Sequence, residues 1–227
     1  MNLTSTVLEL SNVVHTYSLG NECIKVLDGI NFTLCAGEIV SIMGISGSGK
    51  STFLSIAGLL MSPSGGRVKI CGYDSLLWTD QRRTKFRLQN IGFVYQKHFL
   101  LGDFNVEENI MIPLILKGVL SHEDGAQIVQ KLLSKFKIED RRFHLPSQLS
   151  GGECQRAAIA RGIVSLPKII LADEPTGSLD VEHTKNVLLY LKEIVKEQNL
   201  SCIIATHDPQ VAQMTDKIFY LKEGKLQ

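Results

Sequence analysis

The sequence predicts an α/β fold with a mixed, largely parallel sheet at its core, a small antiparallel β side sheet and an inserted α-helical subdomain. Short β-type runs recur along the 227 residues, and helical patterns separate the later ones. Residues 96–165 carry helical patterns but no strand signal. A chain of this length, 44% apolar, can bury one sizeable core, so we expect a single domain over residues 1–227.

The predicted strands are short runs rich in β-branched and aromatic residues. Turn residues such as those in YSLGNE separate the early runs, which predicts the antiparallel side sheet. The later runs are unbroken apolar stretches, as expected of a parallel sheet covered on both faces. In chain order the runs are VLELSNVV, INFTLC, EIVSIM, RVKIC, IGFVYQ, KIILAD, SCIIATH and KIFYLK.

The helical subdomain is predicted from three successive patterns, at residues 106–117, 122–137 and 153–164. Strands flank it on both sides, which indicates that residues 97–165 are inserted into a sheet domain formed by residues 1–96 and 166–227. The most apolar run, residues 110–116, is too short to span a membrane, because a spanning helix needs about 20 apolar residues.

Composition excludes several classes of function. The chain has 24 Lys and Arg against 23 Asp and Glu, so its net charge of +1 gives no electrostatic footprint for nucleic acid. The five cysteines are scattered singly, which predicts neither a disulfide framework nor a zinc site and fits a reducing compartment. The first residues do not read as a secretory signal. We expect a protein that is soluble by itself and meets a membrane only through a partner.

A phosphate loop is predicted at GISGSGKS, which fits the pattern G-x-x-x-x-G-K-[ST]. Gly44, Gly47 and Gly49 allow backbone N–H groups to face phosphate oxygens, Lys50 supplies a mobile positive charge, and Ser51 offers a hydroxyl to Mg²⁺. The alternative is a glycine-rich turn without a ligand. A strand before the loop and a helical pattern after it favour phosphate binding.

Polar residues end three later strand runs. Asp173 and Glu174 end KIILADEP, where Asp173 is placed to hold Mg²⁺ and Glu174 to polarise an attacking water; a solvated strand end is the alternative. Gln96 and His207 end two other runs and are candidates to converge on the γ-phosphate. The pattern alone equally allows structural roles: Gln96 as an amide whose hydrogen bonds are satisfied at a strand end, and His207 as a polar residue ahead of a helix.

A second glycine-rich helix start lies at LSGGECQR. A polar residue followed by two glycines at the start of a helix forms an anion site, because free N–H groups and the positive end of the helix dipole face outward. The alternative is a helix cap and nothing more.

Together these motifs resemble, end to end and in order, the nucleotide-binding subunit of ATP-binding cassette (ABC) transporters, a form of the P-loop NTPase fold. The signature LSGGE discriminates this family from other P-loop enzymes. The resemblance implies that the protein binds ATP and Mg²⁺ and couples ATP hydrolysis to transport.

The resemblance also implies individual roles. Tyr17, otherwise an ordinary strand aromatic, would stack on adenine. Asp180 in SLD, otherwise a helix cap, would couple two sites across a dimer. Nucleotide would be bound by Tyr17, Gly44, Ile45, Ser46, Gly47, Ser48, Gly49, Lys50, Ser51 and Thr52; Mg²⁺ would be held by Ser51, Gln96 and Asp173; catalysis would use Lys50, Gln96, His207 and Glu174, the general base.

In the family, the signature of one subunit closes over the ATP held by another, which implies a head-to-tail dimer with two shared sites. The signature residues acting in trans would be Leu149, Ser150, Gly151, Gly152 and Glu153, with the serine and the glycines donating to the γ-phosphate. Cys154 departs from the family, which usually has a long polar or basic side chain there.

The chain resembles the ATPases of lipoprotein-releasing systems and their macrolide-exporter-type relatives in residues 96–116, in LADEPTGSLD and in its compact length. It departs from the lipoprotein-releasing ATPases at Gly102, where they tend to have Pro. This implies two ATPase subunits on the cytoplasmic face of the bacterial inner membrane, beneath two permease subunits, with lipoprotein cargo touched only indirectly. The alternatives are the ATPase of a macrolide-type efflux or cell-division complex, or a soluble non-transport ABC ATPase. Neutral charge and the lack of a long heptad insertion speak against a DNA-directed role.

Overall fold

The computed structural model describes residues 5–20, 22–118, 121–177 and 181–227. Its strands there are β1 Thr6–Leu19, β2 Glu22–Cys35, β3 Ile39–Met43, β4 Gly65–Ile70, β5 Tyr73–Asp74, β6 Ile91–Tyr95, β7 Ile169–Asp173, β8 Ser201–Thr206, β9 Lys217–Lys222 and β10 Lys225–Leu226. Its helices are α1 Lys50–Ala57, α2 Asp80–Asn90, α3 Val106–Lys117, α4 His122–Lys135, α5 Gly151–Ile163, α6 Val181–Glu197 and α7 Pro209–Gln213, with single 3₁₀ turns at Glu139–Arg141 and Pro146–Gln148.

A six-stranded sheet runs in the order β10-β9-β3-β8-β7-β6. Strands β9, β3, β8, β7 and β6 run parallel to one another, and β10 pairs antiparallel with β9. The central strand β8 is buried along its whole length, as its unbroken apolar sequence predicts. The predicted α/β fold is confirmed.

A second, four-stranded sheet has the order β2-β1-β4-β5 and is antiparallel throughout. Its apolar face packs against α1 and one face of the six-stranded sheet, where Phe32 of β2 meets Phe53 of α1 edge to face at 5.2 Å between ring centroids. The short strands β5 and β10 and the helix α2 were not predicted from the sequence. Helix α2 has no buried residue and a strongly polar composition, so it carries little of the apolar periodicity that marks a helix.

Helices α3, α4 and α5 pack together and against α6 and the opposite face of the six-stranded sheet, forming one continuous core. Helix α3 continues through Pro113 and ends at Lys117, where Gly118 caps it in the left-handed conformation. The backbones of β6 and α5 touch, because a Cβ placed on Gly92 would overlap the carbonyl oxygen of Gly162. The carboxyl ends of β3, β6, β7 and β8 meet at one edge of the sheet, where ligands bind in open α/β sheets.

Candidate functional site: a cavity at the carboxyl edge of the sheet

A cavity of about 850 Å³ opens at this edge. Its lining contains the apolar Val26 of β2 and eleven residues that the sequence analysis selected. The lining residues are Val26, Ile45, Ser46, Gly47, Gly49, Lys50, Ser51, Thr52, Gln96, Asp173, Glu174 and His207. The structure therefore brings together side chains that lie more than 150 residues apart in the chain.

The phosphate loop depends on two glycines with positive φ. Gly47 and Gly49 have φ values of 79° and 104°, which side chains with a Cβ rarely adopt. Gly49 caps α1, so the first turn of this helix points its free N–H groups into the loop. Gly44 and Ser48 do not line the cavity; a Cβ on Gly44 would meet the Ser48 side chain and the Leu221 carbonyl, so these residues pack behind the loop.

Lys50 is buried at the first position of α1. Its ammonium group donates hydrogen bonds to the carbonyl oxygens of Gly44, at 2.7 Å, and Ile45, at 3.1 Å. It also lies 4.0 Å from a carboxylate oxygen of Glu174. A cation at this place in the cavity is suited to pairing with phosphate oxygens.

Ser51 and Asp173 form the oxygen-rich side of the cavity. The Ser51 hydroxyl donates to Asp173 Oδ2 at 2.7 Å. Burial raises the pKa of Asp173, the Ser51 hydrogen bond lowers it, and the charge of Glu174 raises it further. With Gln96 in the same lining, the site offers hydroxyl, carboxylate and amide oxygens. This donor set fits Mg²⁺, which prefers oxygen ligands and one or two carboxylates beside substrate phosphates.

The Glu174 carboxylate is held from two sides. Thr206 Oγ1 donates to Oε2 at 3.2 Å, and His207 Nδ1 lies 2.8 Å from Oε1. Glu174 has φ of 47°, a conformation rare for a residue with a Cβ, and its N–H donates to Ala205 O of β8. Such strain persists where the surroundings over-determine it, and it is common at active sites. Thr206 was not selected from the sequence, although it belongs to the same strand end as His207.

Tyr17 lies beside the cavity without lining it. Its hydroxyl is 3.2 Å from Thr52 Oγ1 and 3.5 Å from the Met61 sulfur, and the ring meets His15 edge to face at 4.7 Å. Tyr17 is 37% exposed. The aromatic residue selected for stacking on adenine therefore contacts the helix that begins in the phosphate loop.

The second glycine-rich turn is not part of this cavity; Leu149, Ser150, Gly151 and Gly152 are all absent from its lining. Ser150 and Gly151 are exposed at the start of α5. The helix begins at Gly151, two residues before the predicted start at Glu153, because Ser150 is the N-cap.

Glu153 completes a capping box, since its Oε2 accepts from Ser150 N at 2.7 Å and Ser150 Oγ accepts from Glu153 N at 3.2 Å. Its Oε1 accepts from Arg141 Nε at 2.8 Å, and this hydrogen bond, with those from Ser150, lowers the pKa of Glu153 to about 2. Both carboxylate oxygens of this signature residue thus serve its own chain.

Cys154 is buried, with its sulfur 3.6 Å from Pro146 O, and burial raises the pKa of the thiol. The departure from the family pattern at this position leaves the capping box intact. Asp180, the residue selected for coupling across a dimer, lies outside the described residues.

The segment after Gln96 is tied to α5, which the sequence analysis missed. His98 Nδ1 lies 2.5 Å from Oε1 of the fully buried Gln155, and Gln155 Nε2 donates to Tyr95 O at 3.4 Å. Arg161 donates to the carbonyl oxygens of His98 and Phe99, both at 2.7 Å. These partners are about 60 residues apart, so no local pattern reveals them.

Across the described parts of the chain, no helix combines the length and apolar character needed to cross a membrane.

Comparison with known proteins gives a consistent result. The family model described as "ABC transporter" matches residues 27–177. Lipoprotein-releasing system ATP-binding protein LolD 1 of Rhodospirillum rubrum is 41% identical over 224 residues, covering 99% of both chains. LolD of Hyphomonas neptunium is 43% identical over 220 residues, covering 97% of this chain and 96% of the relative.

Among solved structures, the dimeric ATP-binding cassette MJ0796, in a post-hydrolysis state bound to ADP and Pi, superposes with a TM-score of 0.92 at 40% identity, covering 97% of this chain and 96% of that one. The cassette cbiO1 of Clostridium perfringens, part of the transporter complex cbiONQ, gives a TM-score of 0.86 at 28% identity, covering 98% of this chain and 87% of that one.

Proposed function

The chain belongs to the ABC transporter family, and from this premise we propose that it is the ATP-hydrolysing subunit of a lipoprotein-releasing complex. The observation that carries the enzymatic part is the convergence of Lys50, Asp173, Glu174 and His207 on one cavity. Similarity to ATPases of lipoprotein-releasing systems along nearly the whole chain supports the transport part.

The proposed chemistry uses positioning and charge, as phosphoryl transfer generally does. The loop N–H groups hold the phosphates, and Lys50 exchanges its two carbonyl partners for phosphate oxygens. Glu174 accepts a proton from the attacking water, and His207 and Thr206 orient its carboxylate. Ser51 and Asp173, with Gln96 beside them, would hold Mg²⁺, which when bound would neutralise negative charge on the phosphates.

We propose that two such subunits pair head to tail, so that the N–H groups of Gly151 and Gly152 and the Ser150 hydroxyl of one reach the γ-phosphate held by the other. Two observations support this: the signature turn is exposed, and it is absent from the cavity of its own chain. The similar cassette MJ0796 is dimeric, which supports the pairing of two subunits. Asp180 would couple the two sites.

The membrane partners would be two permease subunits, placing the ATPase at the cytoplasmic face of the bacterial inner membrane. Their docking surface would be residues 96–116, where Phe99, Leu101 and Phe104 are exposed apolar side chains. Lipoprotein cargo would then contact the permease rather than this chain.

The test is isolation of the tagged chain from membranes in mild detergent, followed by reconstitution with whatever polytopic subunits accompany it. The proposal requires ATP-dependent release of lipoprotein from the reconstituted vesicles, absent in a Lys50→Ala variant. If the complex hydrolyses ATP but exports small molecules instead, the assignment as an ATPase would stand and the protein would belong to the efflux class. Association with soluble proteins alone would exclude a transporter role.

A further inference from the structure

The signature turn is connected to α3 through two consecutive arginines, Arg141 and Arg142, in and directly after the 3₁₀ turn Glu139–Arg141. The two side chains diverge to acids on different helices. Arg141 binds Glu153 in the first turn of α5, and Arg142 binds Glu107 in the first turn of α3.

The Arg142–Glu107 pair is bidentate and partly buried, with the Arg142 side chain 29% exposed. Nε donates to Oε2 at 2.9 Å and Nη2 to Oε1 at 2.6 Å, and the Glu107 side chain is 12% exposed. Two planar groups joined by two parallel hydrogen bonds fix orientation as well as distance. The backbone adds to the connection, since Glu107 N donates to Arg142 O and Val106 N donates to His144 O, each at 3.0 Å.

Arg141 continues the connection to the signature. It binds one oxygen of Glu153, and the other oxygen of that carboxylate accepts from Ser150 N. The position of Ser150 is therefore set through Glu153 by the arginine segment. A shift of that segment relative to α5 must move the capping box or break a charged hydrogen bond.

The other end of the connection reaches the exposed loop before α3. Asn109, fully buried, accepts from Leu101 N and donates to the carbonyl oxygens of Leu101 and Phe104. This loop, residues 101–104, contains Leu101 and Phe104, two of the three apolar side chains assigned above to permease docking. Asn109 and Glu107 lie on the same helix, so the loop and the arginine segment are held by one rigid element.

We propose that Arg141 and Arg142 are positioning residues that set the signature turn according to the position of α3, so that displacement of the loop at residues 101–104 is transmitted to Ser150. The proposal rests on the proposed function for its consequence in ATP hydrolysis. The placement of residues 150–153 by the arginine segment is independent of that function.

The test uses the full chain with the variants Arg142→Met, Arg142→Lys and Arg141→Gln, and the charge-exchanged pair Glu107→Arg with Arg142→Glu. The control is Arg82→Met, which removes an arginine stacked on Trp78, away from the signature turn and from the arginine segment. The first measurement is hydrogen–deuterium exchange of the nucleotide-free chain. We expect amides 150–154 to exchange at least about tenfold faster in Arg142→Met, which loses two charge-assisted hydrogen bonds to Glu107. The increase in Arg141→Gln should be smaller, about threefold, because the Arg141–Glu153 pair is more exposed to solvent.

The second measurement separates ATP binding from turnover. Both variants should bind ATP as monomers with a Kd within about twofold of wild type, while kcat falls at least tenfold because the in-trans donor is misplaced. Arg142→Lys should recover part of the loss and the charge-exchanged pair should recover more, since it restores an ion pair across the same two elements.

Unchanged exchange at residues 150–154 in Arg142→Met would overturn the proposal, whether or not the chain hydrolyses ATP. An unchanged kcat in Arg142→Met, when the wild-type chain is active, would also overturn it. So would a loss of kcat that merely accompanies a fall in the unfolding midpoint and occurs to the same extent in Arg82→Met. A wild-type chain without ATPase activity but with the expected exchange pattern would refute the proposed function and support the positioning role.

Discussion

Replacing Glu174 with Gln tests the assignment of the general base. The substitution keeps the volume of the side chain and one acceptor oxygen for Thr206 or His207, whose contacts now lie at 3.2 and 2.8 Å. What it removes is the negative charge and the ability to accept a proton from water. Binding groups on the phosphate loop are untouched.

The expected magnitude follows from this. A positioned general base contributes about 10²–10⁴ in rate, so kcat should fall about 10³-fold, equivalent to about 4 kcal/mol in the activation barrier. Folding should not suffer, because the charge of Glu174 raises the pKa of Asp173, so its removal relieves a like-charge interaction between adjacent acids. ATP should therefore trap a stable dimer of the inactive variant.

The assay is phosphate release at saturating ATP together with gel filtration of the same sample with and without ATP. Glu123→Gln, at an exposed position in the first turn of α4, is the matched control and should keep wild-type kcat. A Glu174→Gln variant that retains more than about a third of wild-type kcat would show that another group accepts the proton. A variant that stays strictly monomeric with ATP would refute the shared-site dimer instead.

Three further outcomes are expected. Ser150→Arg should lower kcat by at least about 100-fold in the dimer while leaving the monomer's Kd for ATP within about twofold, measured with a fluorescent ATP analogue; a parallel loss of binding would contradict action in trans. The pKa of Glu153 is lowered from 4.5 to about 2, so its ion pair stabilises the fold above pH 4.5 and loses that effect as the pH falls through about 2. Glu153→Gln should accordingly lower the urea midpoint at pH 7 but not at pH 2. Gly92→Ala should destabilise the fold by about 2 kcal/mol or more, because its Cβ would overlap the backbone of α5, whereas Gly102→Ala, whose Cβ meets nothing within 4 Å, should be neutral in the same denaturation assay.

The phosphate loop was predictable because its chemistry is local. The glycines with positive φ, the lysine and the hydroxyl of GISGSGKS lie within eight consecutive residues, and the strand and helix on either side are each visible in the sequence. The polar residues at the strand ends could also be predicted from the sequence, because the carboxyl ends of parallel strands share one edge of the sheet. These residues are Gln96, Asp173, Glu174 and His207. Pattern alone left Gln96 and His207 open, and the cavity lining now contains both.

The sequence by itself thus determined the α/β class, most of the strand runs and most of the side chains that line the cavity, because each depends on hydrophobic periodicity or on a short motif. Only the tertiary structure decided which charged groups hold these parts in place. Arg142 reaches Glu107 across 35 residues, His98 reaches Gln155 across 57, and Val26 enters the cavity from the other sheet. Such pairs leave no local signal, because a charged or amide side chain in a loop or on a helix has the same sequence context whether it faces water or a distant partner.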